Sequence, residues 1–253
     1  MIVIGGDGTL SIASRMAQDG VNVIGIPKTI DRDLTETDYS LGFDTALNVI
    51  VEEVDRLRTT AGSHKRIFVV ETMGRTAGWL ALEGGEACGA FIILIPECEF
   101  SMEKVNELVL EGKRQGARYE IIVVAEGAKL KGGSEFVKRE GVDSFGHKAL
   151  GGIAGFVSEE IYKGTKLESR SVVLSHLQRG GAPSAFDRKM GRYFGIAAVD
   201  LVVKKDFGKM VCLRNGKIST CPLGNIIGKL NLVDTNTQYD AERYSGRRSI
   251  LNV

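Results

Sequence analysis

The chain has 253 residues, 43% of them hydrophobic and 26% charged, and its 33 Lys plus Arg against 32 Asp plus Glu leave a formal net charge of +1. That balance excludes a nucleic-acid or polyanion binder that works by overall charge, so any phosphate chemistry must rest on local charge. A soluble chain of this size buries roughly 70–75% of the surface its unfolded form exposes, enough for one large core or two modest ones.

From the N-terminus onward, short β-branched runs alternate with helical periods, the pattern of a parallel sheet covered by helices. Buried strands are predicted at 2–4, 21–26, 67–71, 91–95, 120–125 and 171–175. A helical stretch opens near Leu10. Next, Phe43, Ala46, Leu47, Ile50, Val51, Val54 and Leu57 repeat at three and four, one apolar face of a helix whose other side carries Glu52, Glu53, Asp55 and Arg56. Ser101 caps a helix running through Val105, Leu108 and Val109 to a stop at Gly116. The stretch 129–141, with Gly132-Gly133, reads as a polar surface loop. Further helices cover 151–162 and 186–203, the latter with Tyr193, Phe194, Ala197, Ala198, Leu201 and Val202 inward. Asn215-Gly216, within 211–218, supplies the two positive-φ residues of a tight hairpin turn, and 235–248 reads as a polar, charged tail.

The best apolar stretch, 91–95, is closed by Pro96 and falls far short of the roughly 20 residues that cross a bilayer. The start, Met1-Ile2-Val3-Ile4, has neither a basic region nor a small-residue cleavage site. A soluble chain with no membrane or nucleic-acid partner is expected. Cys88, Cys98, Cys212 and Cys221 form no C-x-x-C pair and read as reduced thiols of a cytoplasmic protein. His64, His147 and His176 lie too far apart in sequence for a local zinc motif.

Four polar clusters carry the chemistry. Gly5-Gly6-Asp7-Gly8-Thr9 follows the first strand: its glycines let backbone N–H groups turn toward an anion at a helix N-terminus, and Asp7 can hold Mg²⁺ beside it. Lys28-Thr29-Ile30-Asp31-Arg32-Asp33 follows the second; if the two strands are parallel neighbours, both loops emerge at the carboxyl edge, where ligands bind in open α/β folds. One Asp can accept a hydroxyl proton while another holds metal. Glu71-Thr72-Met73-Gly74-Arg75 offers a guanidinium fork to phosphate, and His176-Leu177-Gln178-Arg179-Gly180-Gly181 an oxyanion pocket. Each alone has an ordinary reading: a glycine turn, a solvated charged turn, an Arg75–Glu71 pair, a hydrogen-bonded core histidine. All four fall at predicted strand ends, which favours one shared site.

In that order, Gly-Gly-Asp-Gly-Thr, Thr-Ile-Asp-x-Asp, Met-Gly-Arg and His-x-Gln-Arg-Gly-Gly resemble the 6-phosphofructokinase family, from Gly5 to about Asp187. A lone glycine loop would also fit NAD kinase or lipid kinase families, which would not explain the other three motifs. The resemblance implies an α/β fold of two lobes with mainly parallel sheets flanked by helices: a donor lobe from 1–42 and 178–235, truncated at its N-terminus, an acceptor lobe from 43–177 with the acceptor in the cleft between them, and a tail at 236–253. It implies a glycolytic phosphoryl transfer from ATP to the 1-hydroxyl of fructose 6-phosphate with Mg²⁺, in a homotetramer. Asp31 matches the general base, Asp7 and Asp33 the metal side, and Thr29 and Arg75 the groups that stabilise the moving phosphoryl. Met73, Gly74, Glu126, His176 and Arg179 match the sugar-phosphate pocket. Arg66 and Arg170 match arginines reaching it from a neighbouring subunit, and Gly6, Gly8, Thr9 and Lys28 line the donor side.

Three departures stand out. Arg32 occupies the place where the family usually has Asn, and a cation there is expected to make Asp31 a poorer proton acceptor. Gly8 leaves room for the α-phosphate of ATP, whereas Lys28 also occurs in pyrophosphate-dependent members; space favours ATP, with pyrophosphate the alternative. Family members carry a segment before the glycine loop, so this chain reads as lacking part of the donor site and as exposing a sheet edge. An inactive chain that binds fructose 6-phosphate as a regulatory partner is the further alternative.

Overall fold

A computed structural model describes residues 1–133, 137–142 and 148–247, without the side chains of 137–142 and 148–150. In chain order the elements are β1 (Ile2–Gly5), α1 (Asp7–Gln18), β2 (Ile24–Thr29), β3 (Leu41–Gly42), α2 (Phe43–His64), β4 (Ile67–Thr72), α3 (Trp79–Ala87), β5 (Ile92–Leu94), α4 (Met102–Arg114) and β6 (Glu120–Ala125). They continue with β7 (Val137–Val142), β8 (Lys148–Leu150), α5 (Ile153–Thr165), β9 (Ser169–Val173), α6 (Ala185–Val203), β10 (Lys209–Arg214), β11 (Lys217–Pro222), β12 (Tyr239–Asp240) and β13 (Ser245–Gly246), with 3-10 turns at Ser175–Arg179 and Leu223–Ile226.

The chain divides into two units, Met1–Ala46 with Gly181–Asn231 and Leu47–Gly180 with Leu232–Val253. In the first, the sheet runs β1-β2-β10-β11 with β3 also on β2. β1, β3 and β10 each run parallel to β2, and the β10–β11 hairpin turns at Asn215 (φ 50°) and Gly216 (φ 73°), as the Asn-Gly pair predicts. Side-chain alternation along β10 sends Met210 and Cys212 into an apolar cluster with Leu10 and Ala13 of α1, Leu223 and Ile226. α6 packs on the same strands through Met190, Phe194, Ala198 and Leu201. Tyr193 and Val202, expected inward, are exposed, because each sits one residue, about 100° of helical rotation, away from that buried stripe.

In the second unit the order is β5-β6-β4-β9, all parallel, and β4, β5 and β6 are buried along their whole length. Such strands read as continuous apolar runs because helices cover both faces. Ser101 caps α4, its Oγ accepting from Lys104 N at 3.2 Å, and Gly116 follows its end at φ 92°. β2 starts three residues later than expected: the chain leaves α1 through Gly20 (φ 85°), and Val21 N still bonds back to Met16 O at 2.9 Å. α3 was not expected. Trp79-Leu80-Ala81-Leu82 and Gly84-Gly85 are buried, so no polar face marks a helical period.

Two stretches differ from their sequence readings. Within 129–141, expected as a loop, β7 begins at Val137 and pairs with β8; residues 134–136 lie outside the described residues. The segment expected as a tail belongs to the second unit, because Tyr239 and Tyr244 are buried in it; residues 248–253 lie outside the described residues.

Candidate active site

In the first unit, β1 and β2 are parallel neighbours with Gly5 opposite Pro27, so the glycine loop and the Thr29–Asp33 turn leave the sheet at one carboxyl edge. They touch: a Cβ placed on Gly6 would lie 3.3 Å from the Thr29 Cβ. Gly6 is the residue before α1, Asp7 its first residue, and Gly8 and Thr9 complete the first turn, where unpaired N–H groups and the helix dipole favour an anion. Thr29 Oγ1 donates to Asp31 Oδ2 at 3.2 Å and accepts from Asp31 N at 3.1 Å. Asp31 is 7% exposed, and its Oδ1 is buried with no hydrogen-bond partner among the described residues. A buried carboxylate oxygen left over in this way is suited to accept a hydroxyl. Thr29, which the resemblance assigns to the moving phosphoryl, is thus bonded to Asp31 in the structure.

Arg32 adopts a left-handed backbone (φ 54°) and lays its guanidinium over the Phe43 ring, 5.3 Å from the centroid. Its carbonyl accepts from Asn231 Nδ2 at 2.9 Å. Asp187, which no functional motif had singled out, anchors this unit. Its buried carboxylate accepts from Tyr39 Oη, Gly42 N, Thr45 N and Thr45 Oγ1, closing the first turn of α2 against the start of α6. Ser40 Oγ donates to Thr29 O at 2.8 Å and completes the tie to β2.

In the second unit, Thr72 stands opposite Ala125 and Glu71 opposite Val173, so Met73-Gly74-Arg75, Glu126 and the His176–Arg179 turn leave the parallel sheet at one edge. Glu126 Oε1 accepts from Arg75 N at 3.2 Å, and Met73 N donates to Gln178 Oε1 at 3.3 Å. Gly127 is required here: a Cβ on it would lie 1.9 Å from the Arg75 carbonyl oxygen. His176 and Arg179 are exposed, with Ser175 Oγ 3.0 Å from His176 Nδ1. Glu71 caps α5, accepting from Gly152 N and Ala154 N at 3.0–3.1 Å.

Arg66 and Arg170 are not brought to this edge. Arg66 precedes β4 and Arg170 stands opposite Phe68, at the amino end of the sheet, where both lie beside Glu168. Lys28 is exposed on β2. No group of three or more metal-type ligands occurs among the described residues. Asp7 begins α1 and Asp33 lies just after β2, so both fall at the carboxyl edge of the first sheet; Mg²⁺ takes one or two carboxylates and completes its shell with water and phosphate oxygens. A cavity of about 490 Å³ lies at the amino edge of the second sheet, lined by Arg58, Phe91, Tyr119, Glu120 and Arg247 among others, and holds none of the residues assigned to the phosphate motifs.

The phosphofructokinase (PFK) family pattern matches residues 1–202. The chain is 48% identical over 246 residues to a pyrophosphate–fructose 6-phosphate 1-phosphotransferase of Amycolatopsis methanolica, covering 97% of this chain and 72% of that one. It is 50% identical over 233 residues to an ATP-dependent 6-phosphofructokinase of Chloroflexus aurantiacus, covering 92% and 64%. A solved pyrophosphate-dependent phosphofructokinase of Marinobacter aquaeolei superposes with a TM-score of 0.81 at 23% identity, over 98% of this chain and 64% of that one, a likeness of fold. The chain thus spans 64–72% of the length of these proteins. With the motifs at two parallel-sheet edges and this extent of similarity, the chain belongs to the phosphofructokinase family.

Proposed function

We propose that the chain transfers the terminal phosphoryl group of ATP to the 1-hydroxyl of fructose 6-phosphate, giving fructose 1,6-bisphosphate. The unpartnered Asp31 Oδ1, buried beside the glycine loop, carries the reading. Asp31 takes the hydroxyl proton while Thr29 holds its other oxygen. The N–H groups of Gly6, Gly8 and Thr9 at the start of α1 hold donor phosphates, and Arg75 offers a fork to the group in transit. Asp7 and Asp33 would hold Mg²⁺, which when bound would neutralise charge at the phosphates. Met73, Gly74, Glu126, His176 and Arg179 bind the sugar phosphate, and Arg66 and Arg170 serve a neighbouring copy, which requires an oligomer.

Gly8 supports ATP as donor, since a glycine there leaves space for an α-phosphate. Pyrophosphate is the second reading, favoured by the name of the Amycolatopsis relative. Product formation from fructose 6-phosphate, Mg²⁺ and each donor in turn decides between them: turnover with ATP is expected, and turnover with pyrophosphate alone would reverse the donor. Calorimetric binding of the sugar phosphate with no turnover on either donor would replace the enzyme by a binding chain.

A further inference from the structure

The loop between β4 and α3 carries Met73, Gly74 and Arg75, and its backbone is held where a chain does not rest by itself. Gly74 has φ 134° and Arg75 φ 53°, and a non-glycine residue in the left-handed region persists only when its surroundings over-determine it. Three N–H groups of the loop are bound by side chains. Met73 N donates to Gln178 at 3.3 Å, Arg75 N to Glu126 at 3.2 Å and Gly78 N to Glu97 at 2.9 Å. The three acceptors follow β9, β6 and β5 respectively, so every other strand of the sheet contributes one. Gln178 is 1% exposed and also donates through Nε2 to Ser175 O at 3.3 Å, at the head of the turn that bears His176 and Arg179. Glu97 Oε1 accepts a second N–H, from Val233 at 2.9 Å.

We infer that Gln178 and Glu97 are positioning residues for sugar-phosphate recognition: they fix the ends of the Met73–Gly78 backbone, and Gln178 sets its spacing from the His176–Arg179 turn. The inference rests on the functional reading above. A glutamine suits the Gln178 position because a primary amide both accepts and donates, whereas a carboxylate accepts only. Displacement of a binding loop by about 1 Å is enough to cost a large factor in a preorganised site.

Calorimetry with fructose 6-phosphate, thermal melting and hydrogen exchange of the loop amides test this on the full chain. Gln178→Leu should weaken fructose 6-phosphate at least tenfold and speed exchange at Met73 by a similar factor. Gln178→Glu, which keeps the acceptor and loses the donor, should fall between it and wild type. Glu97→Leu should weaken the sugar phosphate and free the Gly78 amide, while Glu97→Gln, which keeps the Oε1 acceptor, should restore both. Unchanged affinity and exchange in folded Gln178→Leu would overturn the inference. So would a loss of Tm with no selective loss of affinity, or Glu97→Gln behaving like Glu97→Leu. Should Gln178→Leu not fold, Gln178→Glu and the Glu97 pair decide by the same readings. If wild type itself does not bind fructose 6-phosphate, the substrate reading fails, and localised exchange in the variants still reports whether the two side chains hold the loop.

Discussion

Burial of Glu120 at the start of β6 leaves both carboxylate oxygens without a hydrogen-bond partner among the described residues, and desolvation pushes the acid up to about 7 against the opposing pull of Lys113. The folded chain therefore keeps a proton between about 4.5 and 7 that the unfolded chain has released. Its stability contribution is full below the unfolded value and is lost as pH rises through the folded one. Glu120→Gln should remove that dependence, gaining on wild type by roughly 2–3 kcal/mol more at high pH than at low. Denaturant unfolding near pH 5 and pH 8 checks it, and an equal difference at both would contradict it. At Arg32, the left-handed backbone suits Asn, whose short side chain tolerates that region. Arg32→Asn is expected to relieve the backbone, remove a cation beside Asp31 and raise turnover; a rate unchanged or lowered would contradict this. The sequence shows that these residues are charged. It does not show Glu120 buried without a partner or Arg32 turned over Phe43, because both depend on elements distant in the chain.

Among the elements, the segment 232–247 shows how a structure can lack a legible period. It closes the free edge of β5 through a few specific bonds: Tyr239 Oη donates to Ile93 O at 2.6 Å, and Ile93 N donates to Tyr244 O at 2.6 Å. Ser101 N donates to Tyr244 Oη at 3.0 Å, and Arg243 binds both oxygens of Glu111 at 3.0–3.2 Å. Two buried tyrosines five residues apart match neither a helix nor a strand repeat, so the segment reads as a tail although it covers a strand edge that would otherwise be open to pairing. Tyr239→Phe leaves the Ile93 carbonyl without this donor and should lower unfolding free energy by about 1 kcal/mol. A denaturation midpoint that does not move would show the bond to be dispensable. By contrast, the Ser101 cap and the Asn215-Gly216 turn are local chemistry, and both are legible in a few adjacent residues.

Across the whole molecule, parallel pairing of the motif-bearing strands within each unit's sheet explains why motifs scattered through the chain gather at one edge of each. β1 and β2 send Asp7 and Asp31 to one edge of the first unit, and β4, β6 and β9 send Arg75, Glu126 and His176 to one edge of the second. Parallel pairing made that convergence legible, since every strand exit then faces the same way. The same geometry separates Arg66 from Arg75 by the length of β4, roughly 17 Å of extended chain. Under the proposed function these arginines act in a neighbouring copy rather than at their own chain's Arg75 edge. Mixing Arg170→Ala chains with Glu126→Gln chains should therefore restore some turnover that neither has alone, and mixtures no better than their parts would place Arg170 outside the site. The most direct test of the proposed chemistry is formation of fructose 1,6-bisphosphate from ATP, Mg²⁺ and fructose 6-phosphate by wild type and by Asp31→Asn. A loss of about 10²–10⁴ in turnover with sugar-phosphate binding retained is predicted. Equal rates in the two proteins, or no product from wild type with either donor, would contradict it.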